Sequence, residues 1–211
     1  MSGSSYVYKI IVVGDAEVGK TSTVNRWAHG WFRHDYKLTV GVQHYSRTIE
    51  LGEGKDKTNI KLIIWDMAGQ DVFKELRASF YDGATGTVLM FDITRKSTFN
   101  HMQRWIEEAW ENIGERVPVV VVANKADLKP HRVPKKDIAK YAKSLKAPYL
   151  VTSALTGSNV TDLFELVAKI VHQETQRIVP KGHDWSKRPR KRTTKKKPSV
   201  KKTSKKRPIA K

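Results

Sequence analysis

Residues 14–21 read Gly-Asp-Ala-Glu-Val-Gly-Lys-Thr and match the pattern Gly-x-x-x-x-Gly-Lys-Ser/Thr. The apolar run Tyr8–Val13 before them predicts a buried parallel strand, and Gly19–His29 after them predicts a helix. In that setting the glycines let the backbone wrap a phosphate chain, and amides at the helix N-terminus point at it. Lys20 would reach the β- and γ-phosphates, and the Thr21 hydroxyl would bind Mg²⁺. The stretch therefore predicts a nucleoside triphosphate site and leaves the base open.

After this loop the chain shows one predicted hairpin and then an alternation of strands and helices. Val40–Leu51 and Asn59–Trp65 alternate in polarity around the polar loop 52–57, which is typical of an antiparallel hairpin. Short apolar strands then alternate with amphipathic helices: the strands are Thr87–Ile93, Val117–Ala123 and Tyr149–Thr152, and the helices are Ser97–Ile113, Lys135–Leu145 and Val160–Arg177. This order predicts an α/β fold with a mostly parallel sheet and helices on both faces. Ligands of such sheets bind at the carboxyl ends of the strands.

Charge divides the chain near residue 180. The 211 residues carry a net charge of +19 at neutral pH, but residues 181–211 alone contain 15 Lys and Arg against one acid, a net charge of +14. Apart from Trp185 and Ile209, this stretch has almost nothing to bury. The sequence therefore predicts a globular domain over residues 1–180 and a disordered polybasic tail over residues 181–211.

Composition excludes several classes of protein. The chain has no cysteine, which excludes disulfides, cysteine nucleophiles, Cys zinc sites and prenyl or palmitoyl anchors. Residue 2 is Ser2, which excludes N-myristoylation, and no apolar run is long enough for a bilayer span or a signal peptide. We therefore expect a cytoplasmic monomer that is not secreted, transmembrane or prenylated. A peripheral place at an anionic membrane surface is compatible with this expectation.

The stretch Asn124-Lys125-Ala126-Asp127 directly follows the predicted strand Val117–Ala123. The Asp127 carboxylate could accept hydrogen bonds from the N1–H and the 2-amino group of guanine. Adenine offers no such pair, so a buried, unpaired acid would disfavour it. Ser153 and Ala154 end the last predicted strand and could present backbone N–H groups to the guanine O6. Each short stretch alone could be a polar turn, but their positions at strand ends favour a guanine nucleotide.

Five stretches in this order resemble the Ras-type small GTPase superfamily: the phosphate loop, Thr39, residues 66–70, residues 124–127 and residues 152–154. The resemblance covers about residues 6–178. Within the superfamily the chain is most similar to the Rab branch, because residues 39–42, 65–70, 80–84 and 91–94 are close to the corresponding Rab stretches. The resemblance implies a P-loop NTPase fold with a six-stranded, mostly parallel sheet, one antiparallel edge strand and five flanking helices. It also implies a GTPase that works slowly with Mg²⁺ and signals through switch segments around 32–48 and 66–82. Exchange factors, activators and effector proteins are the implied partners.

The resemblance also assigns roles to individual residues. Thr39 would join Thr21 and Asp66 as the metal ligands, Gln70 would orient the attacking water, and Lys20 would act with it in catalysis. Phe32 would lie against the guanine and Tyr36 would close over the phosphates, although both could instead be packing residues. The complete expected nucleotide-binding set is Asp15, Ala16, Glu17, Val18, Gly19, Lys20, Thr21, Ser22, Phe32, Tyr36, Thr39, Gly69, Asn124, Lys125, Asp127, Ser153 and Ala154.

The chain departs from the family pattern at three residues, and it lacks the carboxyl-terminal prenylation cysteines of Rab and Ras proteins. Ala16 stands where Ras has glycine, and its methyl group would crowd the attacking water, so hydrolysis is expected to be slow. Leu155 replaces the lysine that commonly follows Ser-Ala and packs near the base. His44 breaks the aromatic surface triad of Rab proteins, which would otherwise map to His44, Trp65 and Tyr81. No arginine lies in the phosphate loop or beside Thr39, so an external activator is expected.

The polybasic tail predicts a polyanionic partner. Its charge suits an anionic membrane, nucleic acid and nuclear import alike, and a solvated arm without a ligand is the alternative. We favour membrane association. A GTP-regulated protein that binds nucleic acid or the ribosome through the tail is the alternative function, and a GTP-bound scaffold with negligible turnover is a third.

Overall fold

The computed structural model describes residues 5–32, 39, 41–52 and 57–178. This part of the chain contains six strands and six α-helices: β1 Ser5–Val13, α1 Lys20–His29, β2 Val42–Leu51, β3 Thr58–Met67, α2 Lys74–Ala78, β4 Gly86–Asp92, α3 Lys96–Asn100, α4 Met102–Ile113, β5 Val119–Asn124, α5 Lys135–Ser144, β6 Tyr149–Val151 and α6 Val160–Ile178. A short 3-10 turn, Asp71–Phe73, precedes α2. Only His101 separates α3 from α4, so the helix predicted over 97–113 is interrupted at that residue. With α3 and α4 counted as one unit, five helices flank the sheet, which is the number expected.

The six strands form one sheet in the order β2-β3-β1-β4-β5-β6. β1 pairs in parallel with β3 and β4, the parallel pairing continues through β5 to β6, and β2 is antiparallel to β3 at the edge. This arrangement confirms the expected α/β fold with a single antiparallel edge strand. Val40, the predicted start of the hairpin, lies outside the described residues, as do Tyr36 and the tail. The carboxyl ends of β1, β4 and β5 meet at one edge of the sheet, where the motifs also lie.

Both faces of the central strands are buried, which explains their continuous apolar sequence. Every residue of β4 and β5 is buried. Alternate residues face opposite ways, so Ile10 and Val12 of β1 pack towards α1 and α6, whereas Ile11 and Val13 pack towards α4 and α5. Burying each such side chain contributes about 1.5–3 kcal/mol, so the sheet holds the ends of its strands in fixed positions. Within the described residues, no helix is long and apolar enough to cross a bilayer.

A charged side chain, Arg77 of α2, is fully buried on the α4 side of the sheet. Its Nε and one terminal nitrogen donate to the two Glu108 carboxylate oxygens at 3.0 and 3.2 Å. The other terminal nitrogen donates to the carbonyls of Ala68 at 3.0 Å and Gln70 at 2.6 Å. The Tyr81 hydroxyl donates to Glu108 at 2.8 Å. Because these bonds use the donors of the guanidinium, the buried charge is tolerated and ties the start of the second switch segment to α4.

The burial of Tyr81 corrects the predicted surface triad. Its side chain is fully buried, so it cannot be part of an exposed aromatic patch. The aromatic ring beside Trp65 is that of Phe80, with the ring centroids 5.4 Å apart, and His44 lies 5.6 Å away on the other strand of the hairpin. The sequence places two aromatic residues side by side, and only the fold decides which of them turns into the core.

Replacing Arg77 by leucine will lower the free energy of unfolding by about 3 kcal/mol or more, because Glu108 then stays buried without its cation. Urea unfolding followed by tryptophan fluorescence measures this loss. The matched control is Arg104→Leu on α4, whose half-exposed guanidinium pairs with Asp71 at 3.1 Å and should contribute less than about 1 kcal/mol. Equal losses for the two variants would contradict the prediction.

Candidate functional site

The phosphate loop connects β1 to α1 and passes very close to two neighbouring strands. A Cβ atom on Gly14 would overlap the carbonyl oxygen of Met90 in β4, and one on Gly19 would overlap the side-chain amide of Asn124 in β5. Gly14 and Gly19 also have φ values of 142° and 95°, which side chains rarely adopt. The glycines of the pattern are therefore required by contact with the sheet. Gly19 has no side chain to cap α1, which leaves its first amides for an anion.

Lys20 is buried beneath this loop, with 5% of its surface exposed. Its Nζ donates to the carbonyls of Gly14 at 2.8 Å and Asp15 at 2.7 Å. Burial lowers the pKa of Lys20 to about 8, although Asp66 and Asp15 act in the opposite direction. The ammonium remains charged at neutral pH, and its direct partners are uncharged carbonyls. A phosphate group would supply the directly bonded anion that Lys20 does not have among the described residues.

A group of oxygen atoms lies next to Lys20. The Thr21 hydroxyl donates to Asp66 Oδ2 and lies 2.6 Å from the Thr39 hydroxyl oxygen. Asp66 is fully buried, and its Oδ1 has no hydrogen-bond partner among the described residues. Burial raises the pKa of Asp66 to about 6. Hydroxyl and carboxylate oxygens are ligands that Mg²⁺ prefers, and a divalent cation would use the unpartnered oxygen, so the predicted metal ligands fit that ion.

The base-reading stretch is joined to the phosphate loop by Asn124. Its buried side-chain amide donates to the Val18 carbonyl at 2.9 Å, and its Oδ1 accepts a bond from the Thr152 hydroxyl at 3.0 Å. The Ser153 hydroxyl in turn donates to Asp127 Oδ1, which orients that carboxylate. The three predicted motifs are therefore connected by hydrogen bonds into one unit.

A cavity of about 450 Å³ opens between these motifs. Phe32, Asp127 and Ala154 line it together with two leucines, Leu128 and Leu155, which are 47% and 41% exposed. Its remaining lining residues are Glu17, Gly19, Ser22, Asn124 and Lys125. Apolar walls beside the Asp127 carboxylate suit a flat heterocyclic base. Leu155 thus supplies an apolar wall where the family pattern has lysine, while Tyr36 lies outside the described residues.

The two amides expected to meet the guanine O6 are not equivalent. The Ser153 N–H donates to the Ser158 carbonyl at 3.1 Å and is therefore committed within its own turn. The Ala154 N–H makes only a 3.3 Å bond to Asn124 Oδ1, and Ala154 lines the cavity. The Ala154 amide is therefore the one suited to the base, and Ser153 contributes through its hydroxyl.

The start of the second switch segment lies against the phosphate loop. A Cβ atom on Gly69 would overlap backbone atoms of Asp15 and Ala16, so no larger residue fits there. Gln70 borders a second, smaller cavity at the phosphate loop, called the phosphate cavity below to separate it from the 450 Å³ base cavity. The complete lining of the phosphate cavity is Ala16, Glu17, Gly19, Lys20, Thr21, Ser22, Thr39, Gly69 and Gln70. The structure thus brings the predicted catalytic and metal-binding residues together, with the Ala16 methyl beside them.

The Asp15 side chain faces α4. Its carboxylate accepts a 2.7 Å bond from Trp105 Nε1 and lies 2.7 Å from His101 Nδ1. Sequence reasoning placed Asp15 among the nucleotide contacts on its position in the loop. The structure leaves its backbone in the loop and directs its carboxylate to the helix, so the side chain helps to fix the loop on α4.

Sequence reasoning missed Asp92, the last residue of β4, and Arg95, in the loop after it, as residues that adjoin the site. Arg95 donates to the Ala16 carbonyl at 3.0 Å, so an arginine does contact the phosphate loop although none lies within it. Asp92 is the one charged residue of β4, whose residues are all buried. A charged residue at such a strand end is a signal that could have drawn attention to it.

Comparison with known proteins agrees with this geometry. A model of the Ras family matches residues 9–173. Ras-related protein RABA3 of Arabidopsis thaliana is 38% identical over 161 residues, which cover 75% of this chain and 66% of the relative. Ras-related protein RABA4a of Arabidopsis thaliana and Ras-related protein Rab11A of Lotus japonicus are each 36% identical over 163 residues, which cover 77% of this chain and 70% of each relative. The chain thus spans about two thirds of the length of these relatives, and the match contains the site.

Proposed function

Because the chain belongs to the Ras family of small GTPases, we propose that it binds GTP and GDP with Mg²⁺ and hydrolyses GTP slowly to GDP and phosphate. The observation that carries the proposal is the arrangement of one connected site. At its phosphate end lie a buried lysine and a buried carboxylate oxygen that no described residue hydrogen-bonds, and at its base end lies an oriented carboxylate, Asp127. The segments around 32–48 and 66–82 would change with the nucleotide, and exchange factors, activators and effectors would act on them.

The chain's residues divide the work of binding. Amides of the phosphate loop and Lys20 would hold the β- and γ-phosphates, and Thr21, Thr39 and Asp66 would hold Mg²⁺. The bound ion would neutralise negative charge on the phosphates during transfer. Because the Lys20 ammonium and the Asp66 carboxylate are already buried at fixed positions, the site needs little rearrangement to stabilise that charge.

Hydrolysis requires a water molecule in line with the bond from the γ-phosphorus to the bridging oxygen. The water attacks the γ-phosphorus, the bond to that oxygen breaks, and the products are GDP and inorganic phosphate. Gln70 would orient this water, while the Ala16 methyl would restrict it because both residues border the same cavity. Unassisted hydrolysis in Ras is on the order of 10⁻⁴ to 10⁻³ s⁻¹, and a comparable or lower rate is expected here.

Guanine should be preferred strongly to adenine, because a bound base would cover the exposed Asp127 carboxylate, and adenine would not offer it the pair of donors that guanine does. Competition of GTP and ATP for the Mg²⁺-loaded protein measures this preference. Asp127→Asn should shift the preference towards xanthine, since an amide can donate to the xanthine O2 that a carboxylate repels. Equal affinities of the parent protein for ATP and GTP would contradict the assignment.

Gln70→Leu should reduce the single-turnover rate of GTP hydrolysis at least about tenfold and leave GTP binding intact, because the leucine cannot hydrogen-bond the water. The rate is measured by phosphate release from preloaded protein. A suitable control is Gln103→Leu on α4, whose amide bonds only Glu107 and Tyr141 on the protein surface. A Gln70 variant as fast as the parent would show that another group positions the water.

The tail, residues 181–211, is proposed to hold the protein at anionic membrane surfaces. Its net charge of +14 would be attracted by acidic lipids with about 1 kcal/mol per basic residue near the surface, and salt would screen that attraction. The same charge would bind nucleic acid without reading its sequence, so salt dependence alone does not separate the two partners.

Deleting residues 181–211 should sharply reduce binding to phosphatidylserine vesicles and leave GDP affinity nearly unchanged. The deciding comparison sets vesicles against RNA at one physiological ionic strength, with the protein loaded in turn with GDP and a GTP analogue. Tenfold tighter binding to RNA would replace the membrane proposal with the nucleic-acid alternative. Loss of GDP affinity on deletion would show that the tail is not separable from the domain.

A further inference from the structure

Arg95 connects the phosphate loop with the base-reading stretch, two parts of the site that are far apart in the sequence. It lies in the loop between β4 and α3, and its side chain is 37% exposed. Its Nε donates to Asp92 Oδ2 at 3.1 Å. Its terminal nitrogens reach the phosphate loop, where one donates to the Ala16 carbonyl at 3.0 Å and the other lies 3.4 Å from Glu17 Oε2.

Asp92 extends this connection to the base-reading stretch. Its side chain is 2% exposed, and the Oδ2 that accepts from Arg95 also pairs with Lys125 Nζ at 2.9 Å. Its Oδ1 accepts from the backbone amide and the hydroxyl of Thr94 at 2.9 and 2.6 Å. Burial raises the pKa of Asp92, but the bonds from Thr94 and Lys125 outweigh it and hold the pKa below its usual value. Asp92 is therefore a fixed negative charge between two cations.

Glu17 makes this connection relevant to the nucleotide. It has a φ of 64°, which is unusual for a residue with a side chain, and it lines both the phosphate cavity and the base cavity. A carboxylate there would repel phosphates unless a cation compensates it. Arg95 is a cation that pairs with it, and Arg95 lines neither cavity.

We propose that Arg95 is a positioning residue that slows nucleotide release by joining the phosphate loop to Lys125 through Asp92. This inference rests on the proposed function, because it needs a guanine nucleotide in the site. Loosening the loop from the base-reading stretch would ease release of the base and the phosphates, and Arg95 adds to the Asn124 bond that holds the two together. Arg95 does not line the phosphate cavity, so it acts on retention and not on the reaction at the γ-phosphate.

Release of fluorescent GDP and of a fluorescent, non-hydrolysable GTP analogue tests this proposal. Arg95→Met should release both about tenfold faster than the parent protein, because Arg95 itself borders neither cavity and its lost contacts do not involve the γ-phosphate. Single-turnover hydrolysis of bound GTP should stay within twofold. A purely structural role would not produce this separation, since general loosening of the loop would slow hydrolysis as well.

Two further variants identify the source of the effect. Arg95→Lys keeps a positive charge but cannot bond Asp92 and the Ala16 carbonyl together, so its release rate should be intermediate. In the double variant Arg95→Met with Glu17→Gln, release should be slower than in Arg95→Met alone, because the carboxylate that Arg95 compensated is gone. The matched control is Arg177→Met on α6, which removes the same charge at a position 80% exposed and paired with Glu174, and it should not change release.

The outcomes separate this inference from the proposed function. Release from Arg95→Met within twofold of the parent, or equal to that of Arg177→Met, would overturn the inference while the parent still binds GDP. A fall in hydrolysis of fivefold or more with unchanged release would overturn it as well, since Arg95 would then act on the reaction. A parent protein that binds no guanine nucleotide would overturn the proposed function, and the inference with it.

Discussion

The close approach of the phosphate loop to the ends of β4 and β5 is the constraint on which the rest of the site depends. Gly14 lies against the Met90 carbonyl and Gly19 against the Asn124 amide, where no side chain fits. The loop can therefore take only one path out of β1, and that path starts α1 at Lys20. The central strands are buried on both faces and closely packed, so they hold the loop in place. The two glycines thereby fix the positions of Lys20 and of Thr21, the residue after it.

That fixed position buries charged groups that have no directly bonded counter-charge among the described residues. Lys20 is buried with carbonyls as its direct partners, and Asp66 is buried with one oxygen unpartnered among the described residues. Such groups reduce the stability of the folded chain, and a phosphate with a divalent cation would compensate both at once. Ligands that bind only the folded state stabilise it, so stability and nucleotide binding are expected to be strongly linked in this protein.

The predictable features are those that depend on short stretches of sequence. The strands, the main helices, the phosphate loop and the base-reading stretch follow from local patterns, and the structure places them as expected. The errors concern contacts between distant residues. Phe80 and Tyr81 are both aromatic, and only packing against Glu108 selects Tyr81 for burial. Likewise, Arg95 and the Ala16 carbonyl are 79 positions apart in the chain, so no spacing rule could pair them, and the committed amide of Ser153 depends on a turn that closes at Ser158.

Two buried acids on the segment from β4 to α4 serve different parts of the site. Glu108 holds Arg77, which bonds the carbonyls on either side of Gly69 and thereby fixes the residues that would meet the γ-phosphate. Asp92 holds Arg95 and Lys125, which fix the phosphate loop against the base-reading stretch. The two arginines bond different residues, but Gly69, between the carbonyls that Arg77 holds, lies against the Ala16 backbone that Arg95 holds. Residues in contact are coupled, whereas distant sites act independently, so the rates of hydrolysis and of nucleotide release separate only as far as this contact between Gly69 and Ala16 allows.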